Sequence, residues 1–370
     1  MSSDSEIDRR YMVRALRQAA QGLNTTTPNP RVGCVLVRDG AVVGEGFHMQ
    51  AGGPHAEIVA MQAAGEAARG ATAYVTLEPC AHHGRTPPCA DAVIAAGVSR
   101  VVAAMVDPNP QVAGRGLERL RQAGIAVTTG VLEHEARELN IGFVSRMTRG
   151  RPWLRIKIAA TLDGKTALPN GASQWITGPE ARRDGHRWRA RSCAVMTGIG
   201  TLRDDDPRLT VRDVVTTRQP LRIVVDSRLR MPVDARILEG GGVIVATASA
   251  DEAKTEALRA RGAEVWRLPD SGGKVDLAAL MQTLGERQIN EVLVEAGINL
   301  HSALVEARAV DEFVFYLAPR LLGDASRGML ELPPGLAVAD MPALEIQDLK
   351  RFGPDVRLRA RWAAEPSRAD

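Results

Sequence analysis

The sequence predicts an α/β protein of two domains, 1–148 and 149–370, on three observations. Short apolar runs of strand length alternate with segments of helical period in both halves of the 370-residue chain. A polar stretch from Ser145 to Pro152 interrupts that alternation. Beyond it, two strands run straight into glycine turns followed by helices. The length exceeds what one core ordinarily holds, and 45% apolar residues are enough to bury two.

In the first half, Tyr11, Met12, Ala15, Leu16 and Ala19 recur at helical spacing, so a helix is expected from about Ile7 to Gln21, before Gly22. Val32 to Val37 and Ala41 to Gly46 flank Arg38-Asp39-Gly40, a hairpin signal. Pro54 precedes a helix reaching about Ala68. A strand from Ala73 to Leu77 leads to Pro79, which opens another turn. Apolar Arg100 to Val106 and a helix–strand pair reaching Gly130 complete an α/β/α layer domain, and it ends near Arg146. After Pro152 the pattern restarts. Trp153 to Ala160 leads to Thr161-Leu162-Asp163-Gly164-Lys165, and Ala194 to Thr197 leads to Gly198-Ile199-Gly200-Thr201. Leu221 to Val225 and Val292 to Glu295 are further buried strands, the last followed by Ala296-Gly297-Ile298-Asn299.

The chemistry is concentrated in His55-Ala56-Glu57, Pro79-Cys80 and Cys89. One imidazole and two thiolates form a three-ligand zinc set with the fourth position open, and an open position lets zinc lower the pKa of water to about 7. Glu57, two residues after the histidine, is placed to carry protons without binding the metal. This is the constellation of a zinc-dependent amine hydrolase. His55 and Cys80 are both expected at helix N-termini, where free amides favour thiolate over thiol. His-Ala-Glu alone is common on helices, and two cysteines nine positions apart are often ordinary buried thiols. The arrival of the parts in the order strand, HxE helix, strand, PC turn shifts the balance to zinc. The second half departs from the PCxxC of common deaminases, because eight residues separate the cysteines. His82 and His83 within that loop rival His55 as ligands; His55 is preferred for its HxE context.

Composition narrows the rest. Four cysteines without a paired spacing fit a reducing compartment, with Cys34 and Cys193 expected in the core. No apolar run approaches about 18 residues and the first residues carry no signal core, so a soluble cytoplasmic protein without membrane partners is expected. A formal charge of +3 is too small and too dispersed to imply nucleic acid. Two glycine turns at strand carboxyl ends present backbone amides suited to a phosphate-bearing cofactor, although the Rossmann GxGxxG fingerprint is lacking.

Thr27-Pro-Asn-Pro-Arg-Val-Gly33, Gly44-Glu-Gly-Phe-His48, His55-Ala-Glu57, the run from Thr76 to Cys89, and Asp107-Pro-Asn-Pro-Gln-Val-Ala-Gly-Arg-Gly116 resemble the deaminase half of the bifunctional riboflavin-biosynthesis deaminase/reductases. Leu162-Asp-Gly-Lys165, Ser173-Gln-Trp-Ile-Thr177, Asp204-Asp-Asp-Pro-Arg-Leu-Thr-Val-Arg212 and Val294-Glu-Ala-Gly297 resemble their reductase half, so the likeness spans about residues 5 to 363. The resemblance implies a cytidine-deaminase-like domain followed by a dihydrofolate-reductase-like one. It implies loss of the 2-amino group of 2,5-diamino-6-ribosylamino-4(3H)-pyrimidinone 5′-phosphate, then NADPH-dependent reduction of the ribosyl side chain to ribityl. It also implies a homo-oligomer, dimer or tetramer.

Carried over by position, His55, Cys80 and Cys89 match the family's zinc ligands and Glu57 its proton shuttle. Asn29, His48, His82, Arg85, Asp107 and Asn109 fall where the family contacts the deaminase substrate, although Asn29 and Asp107 are also ordinary turn residues beside proline. Ala159, Trp175, Thr201, Asp205 and the turn Gly297, Ile298, Asn299, Leu300, His301, Ser302 and Ala303 match its NADPH contacts. Ser173, Arg189, Leu209, Arg212 and Glu295 match its reductase-substrate contacts. Of the run Arg182, Arg183, Arg187, Arg189 and Arg191, only Arg189 is expected to function, the others forming a solvated face. Lys157 is a further candidate for stabilising charge, against the plain reading of a solvated edge-strand residue. Three competing readings weigh less. A single-activity nucleoside or RNA deaminase predicts PCxxC and a basic face, and structural zinc ordinarily has a closed fourth position. A zinc deaminase with a non-catalytic dimerisation domain leaves Ser173, Arg189, Asp205, Arg212 and Glu295 unexplained.

Overall fold

The computed structural model describes residues 3–81, 88–110, 112–332 and 341–363. The chain divides into two compact units, Met1–Gly150 and Arg151–Asp370.

The first unit is built from α1 (Ser3–Gln21), β1 (Gly33–Arg38), β2 (Ala41–Phe47), α2 (Ala56–Ala64), β3 (Thr72–Val75), α3 (Cys89–Ala95), β4 (Arg100–Ala103), α4 (Arg115–Gln122), β5 (Ala126–Thr129), α5 (Glu133–Leu139) and α6 (Ile141–Arg149). Its sheet runs β2-β1-β3-β4-β5, antiparallel around β1 and parallel from β3 to β5. Strand periodicity sorts side chains between the faces. Cys34, Leu36, Ala73, Val75 and Val101 pack with Ala56 and Ala60 of α2, Val93 of α3 and Leu120 of α4. Val35, Val37, Tyr74 and Val102 pack instead with Met12 and Ala15 of α1 and Ala136 of α5. The result is the expected α/β/α layering.

The second unit comprises β6 (Trp153–Thr161), β7 (Lys165–Ala167), α7 (Pro179–Arg191), β8 (Ala194–Gly198), α8 (Ile199–Asp205), β9 (Leu221–Val225), β10 (Val243–Thr247), α9 (Glu252–Ala260), β11 (Ala263–Arg267), α10 (Leu277–Glu286), β12 (Glu291–Val294), α11 (Ile298–Glu306), β13 (Glu312–Ala318), β14 (Arg327–Gly328), β15 (Leu344–Phe352) and β16 (Asp355–Trp362). Among the described residues nine strands form one sheet, β11-β10-β9-β8-β12-β6-β13-β16-β15, parallel from β11 to β13 and closed by an antiparallel hairpin. Leu280 and Leu284 of α10 and Leu304 of α11 cover one face. Leu202 of α8, Leu258 of α9 and Trp188 of α7 lie in clusters on the other strand residues. Beneath the sheet's centre Arg155 is fully buried, pairing with Glu291 and, at 2.5 Å, with Glu312. Burial pushes the Glu312 carboxyl up, but Arg155, Arg359 and Arg361 outweigh it and hold the group down to about 2.

Three expectations need correction. Ser145 to Arg149 is not a link but the end of α6, which buries Ile141, Gly142 and Ser145 and stops at left-handed Gly150 (φ 69°). The outward arginines of that amphipathic helix make it look like linker in sequence. Strand β6 is flanked by β12 and β13, so Lys157 is no edge residue. On α7, Arg191 joins Arg189 in facing the sheet, bonding Glu291 at 3.1 Å, while Arg183 and Arg187 form the exposed side.

Candidate active sites

In the first unit, His55 is the N-cap of α2 and Cys89 the first residue of α3. Cys80 is not at a helix start, contrary to expectation, because Cys80 and Ala81 are both irregular. It still receives a backbone amide, from Cys89 at 3.3 Å. The single ligand atoms of His55, Cys80 and Cys89 lie within 4.8 Å of one another, with His55 Nδ1 3.2 Å from Cys89 Sγ and 3.7 Å from Cys80 Sγ. Tetrahedral zinc bonded at about 2.0–2.3 Å requires ligand separations of about 3.5–3.8 Å, so this donor set fits the ion. Hydrogen bonds from Cys89 and His55 hold the Cys80 thiol down to about 4, whereas its bond to Cys80 and burial push Cys89 up.

Glu57 lies in the first turn of α2 and is buried, and burial pushes its carboxyl up to about 7. A group titrating near neutrality both accepts and returns a proton. Close approach of α2 to β2 sets its position. A Cβ on Gly44 would lie 2.3 Å from Ala60 O, and one on Gly46 would lie 2.6 Å from the Val59 side chain.

Asn29 and His48 come to the same place. His48 packs edge-on to His55 with ring centroids 5.2 Å apart, and Asn29 Nδ2 lies 3.0 Å from His48 Nε2. Nδ1–H of His48 donates to Pro54 O at 2.9 Å, so Nε2 is the acceptor, and burial lowers the pKa of the ring. Asp107 and Asn109 lie in the loop after β4, where Asp107 Oδ1 accepts the Asn109 amide at 2.8 Å. His82 and Arg85, and the rival His83, lie outside the described residues. Asn140 went unrecognised in the sequence. It exchanges two hydrogen bonds with the Arg31 backbone, 2.7 and 2.9 Å, from 109 residues away, steadying the Asn29 segment.

In the second unit the charged centre lies at the carboxyl end of β12. Glu295 pairs with Arg189 at 2.5 and 3.0 Å and with Lys157 at 3.7 Å. Burial raises the Glu295 pKa, but the two cations outweigh it and hold it down to about 2. Arg189 also donates to Thr210 O at 3.0 Å, so its guanidinium is engaged within the protein. Lys157 sits 5.9 Å over the Tyr316 ring. Leu209 is buried with φ 52°, and Arg212 is exposed, its amide donating to His186 Nδ1 at 3.3 Å. Ser173 is half-buried in the segment after β7.

The two glycine turns meet, as parallel β8 and β12 are neighbours. A Cβ on Gly297 would lie 3.7 Å from Thr201 Oγ1. Helices α8 and α11 begin at Gly198 and Gly297 with no side-chain cap, leaving amides for an anion. Gln174 Nε2 bonds Asp205 at 3.3 Å, and exposed Trp175 is stacked under Arg182 at 4.7 Å. The uncapped starts of α8 and α11 fit the phosphates of a cofactor, and the exposed Trp175 indole offers an aromatic face. Ala159 is half-buried on β6 opposite Tyr316. Within 297–303, Gly297, Ile298 and Asn299 are the accessible part. Leu300 packs in the core, His301 Nε2 accepts the Ala296 amide at 3.3 Å, and the Ser302 hydroxyl is bonded to Ile298 O and the Glu331 amide; Ala303 is half-buried.

Known proteins share both units. Residues 5–105 match the cytidine and deoxycytidylate deaminase zinc-binding region, and residues 152–358 match the RibD C-terminal domain. Riboflavin biosynthesis protein RibD of Escherichia coli is 50% identical over 363 residues, covering 95% of this chain and 98% of that protein. The RibD of Haemophilus influenzae is 46% identical over 366 residues, covering 94% and 95%. Among solved structures, Acinetobacter baumannii RibD superposes with a TM-score of 0.91 at 44% identity, covering 97% of this chain and all of that one. A Thermotoga maritima diaminohydroxyphosphoribosylaminopyrimidine deaminase/5-amino-6-(5-phosphoribosylamino)uracil reductase gives 0.88 at 34%, covering 97% and 100%. Likeness at this level through both units means that the chain belongs to the RibD family of bifunctional riboflavin-biosynthesis deaminase/reductases.

Proposed function

We propose that the first unit deaminates 2,5-diamino-6-ribosylamino-4(3H)-pyrimidinone 5′-phosphate and that the second reduces the ribosyl chain of the product to ribityl with NADPH. The observation that carries the reading is the convergence of His55, Cys80 and Cys89 beside buried Glu57. Zinc, when bound by those three residues, supplies Lewis-acid activation of water. Glu57 takes the proton of the attacking water, passes it to the ring nitrogen, and delivers a proton to the departing ammonia; the ring carbon gains oxygen and loses nitrogen. Asn29, His48, Asp107 and Asn109 orient the base and its ribosyl phosphate, joined in this reading by His82 and Arg85.

In the second unit NADPH supplies the hydride. The Thr201 and Gly297–Asn299 turns hold its phosphates, with Trp175, Asp205 and Ala159 along its length. Glu295, kept ionised by Arg189 and Lys157, accepts hydrogen bonds from substrate hydroxyls, and Lys157 offers a cation to the oxygen that gains charge. Ser173, Leu209 and Arg212 line the substrate, Arg212 facing its phosphate.

No helix among the described residues is long and apolar enough to cross a membrane. The four cysteines are present as thiols, which supports a reducing compartment, the cytoplasm in this reading. Assembly as a homo-oligomer is supported by the apolar row Leu344, Ile346 and Leu349 exposed on β15. The test is metal analysis with ammonia release and NADPH oxidation on the diaminopyrimidinone ribotide. About one zinc per chain, ammonia, then oxidation is expected; zinc and ammonia without oxidation would leave the second unit non-catalytic.

A further inference from the structure

Glu78 stands two residues before the metal ligand Cys80 and is 3% exposed. Its carboxylate accepts four backbone amides. Oε2 takes those of Asp107 and Gly114 at 3.1 and 2.9 Å, and Oε1 takes those of Gly116 and Leu117 at 2.8 and 3.3 Å. All four belong to the passage from the end of β4 into the first turn of α4, which contains Asp107 and Asn109. An ionised carboxylate is acceptor-only, and charge-assisted bonds to amides are about twice as strong as neutral ones. The side chain therefore caps α4 from 38 residues away in sequence and fixes the start of the loop with the same group. Contact continues along the backbone, since a Cβ on Gly116 would stand 1.9 Å from Pro79 O. The loop thus rests on the two residues that lead into Cys80.

We propose that Glu78 is a positioning residue that sets the distance between the metal cluster and the Asp107–Asn109 wall, and thereby the affinity for the deaminase substrate. The proposal rests on the reading that this wall contacts the ribotide. A purely scaffolding carboxylate would affect zinc content or folding. A positioning one affects KM, because it aligns groups that bind ground state and transition state alike.

The experiment uses the zinc-loaded full chain. Glu78→Gln keeps one acceptor oxygen but turns an NH₂ toward amides that need an acceptor, which releases the loop. Expected are about one zinc per chain, unchanged NADPH oxidation on preformed deaminated substrate, and a KM in ammonia release raised about tenfold or more, with kcat within about threefold. Gly116→Ala, which leaves the carboxylate intact but lifts the loop off Pro79, should raise KM in the same way. Asn109→Ala separates the two layers of the argument. If it raises KM while Glu78→Gln and Gly116→Ala do not, the positioning role is overturned and the substrate wall stands. If none of the three raises KM, the wall itself falls. Loss of zinc, of reductase activity, or of kcat in proportion to kcat/KM in Glu78→Gln also overturns it.

Discussion

At the level of single residues, the two centres answer differently to substitution. Glu57→Gln removes the proton carrier but none of the three metal-binding atoms, so zinc content should persist while ammonia release falls to background. Cys80→Ala should lose the metal, since two ligands remain from three. Full deaminase activity in either variant would contradict the roles assigned. In the second unit, Glu295→Gln leaves Arg189 and Lys157 facing each other without their counter-charge. Stranding buried charge costs about 3–5 kcal/mol. Reductase activity and the urea midpoint of that unit should fall together, and an unchanged midpoint would show that water reaches the pair. His55, Cys80, Cys89 and Glu57 were legible in the sequence because metal and proton chemistry restrict residue type at short spacing. Glu78 and Asn140 were not, because nothing near them in sequence names partners 29 to 109 residues away.

At the level of elements, helix α2 carries both His55 and Glu57 and is held by its tight approach to β2. Gly46→Ala would drive a methyl into Val59, 2.6 Å away, and push the helix outward. Deaminase kcat and zinc retention in the presence of a chelator should both drop, while NADPH oxidation on preformed intermediate stays at the wild-type rate. Helices and strands with a clean period were readable, α1 and the β1–β2 hairpin among them. Helix α6 reads as linker in sequence because its buried side is only Ile141, Gly142 and Ser145. The central place of β6 is hidden for a different reason. Strand order depends on pairing across the chain, and Arg155 and Lys157, charged residues that suggest an edge, are balanced by Glu291 and Glu312 from the neighbouring strands and by Glu295 just beyond β12.

For the molecule as a whole, acid should weaken the second unit early. Burial holds His301 and His186 down to about 4 against an ordinary 6.5. Between those values the unfolded chain binds protons that the folded unit refuses, so this stability is fully present above pH 6.5 and is lost as pH falls toward 4. Glu295 and Glu312, at about 2 against 4.5, extend the loss from pH 4.5 downward. A lower urea midpoint at pH 5 than at pH 7 is expected, with the difference narrowed in His301→Gln; equal midpoints in wild type would refute it. The division into two units makes a second prediction. Glu57→Gln, inactive in ammonia release, should oxidise NADPH on preformed intermediate at the wild-type rate.

The same division has an optical consequence. All five tryptophans, Trp153, Trp175, Trp188, Trp266 and Trp362, belong to the second unit, and the first has none. Trp188 is buried among the guanidiniums of Arg155, Arg191, Arg357 and Arg359, 5.2 to 5.7 Å from its ring, whereas Trp175 lies open to solvent. Indole emission therefore watches the reductase half alone, while the far-ultraviolet signal sums both halves. Recorded side by side during a melt, the two signals tell which half lets go first, with no label added to either.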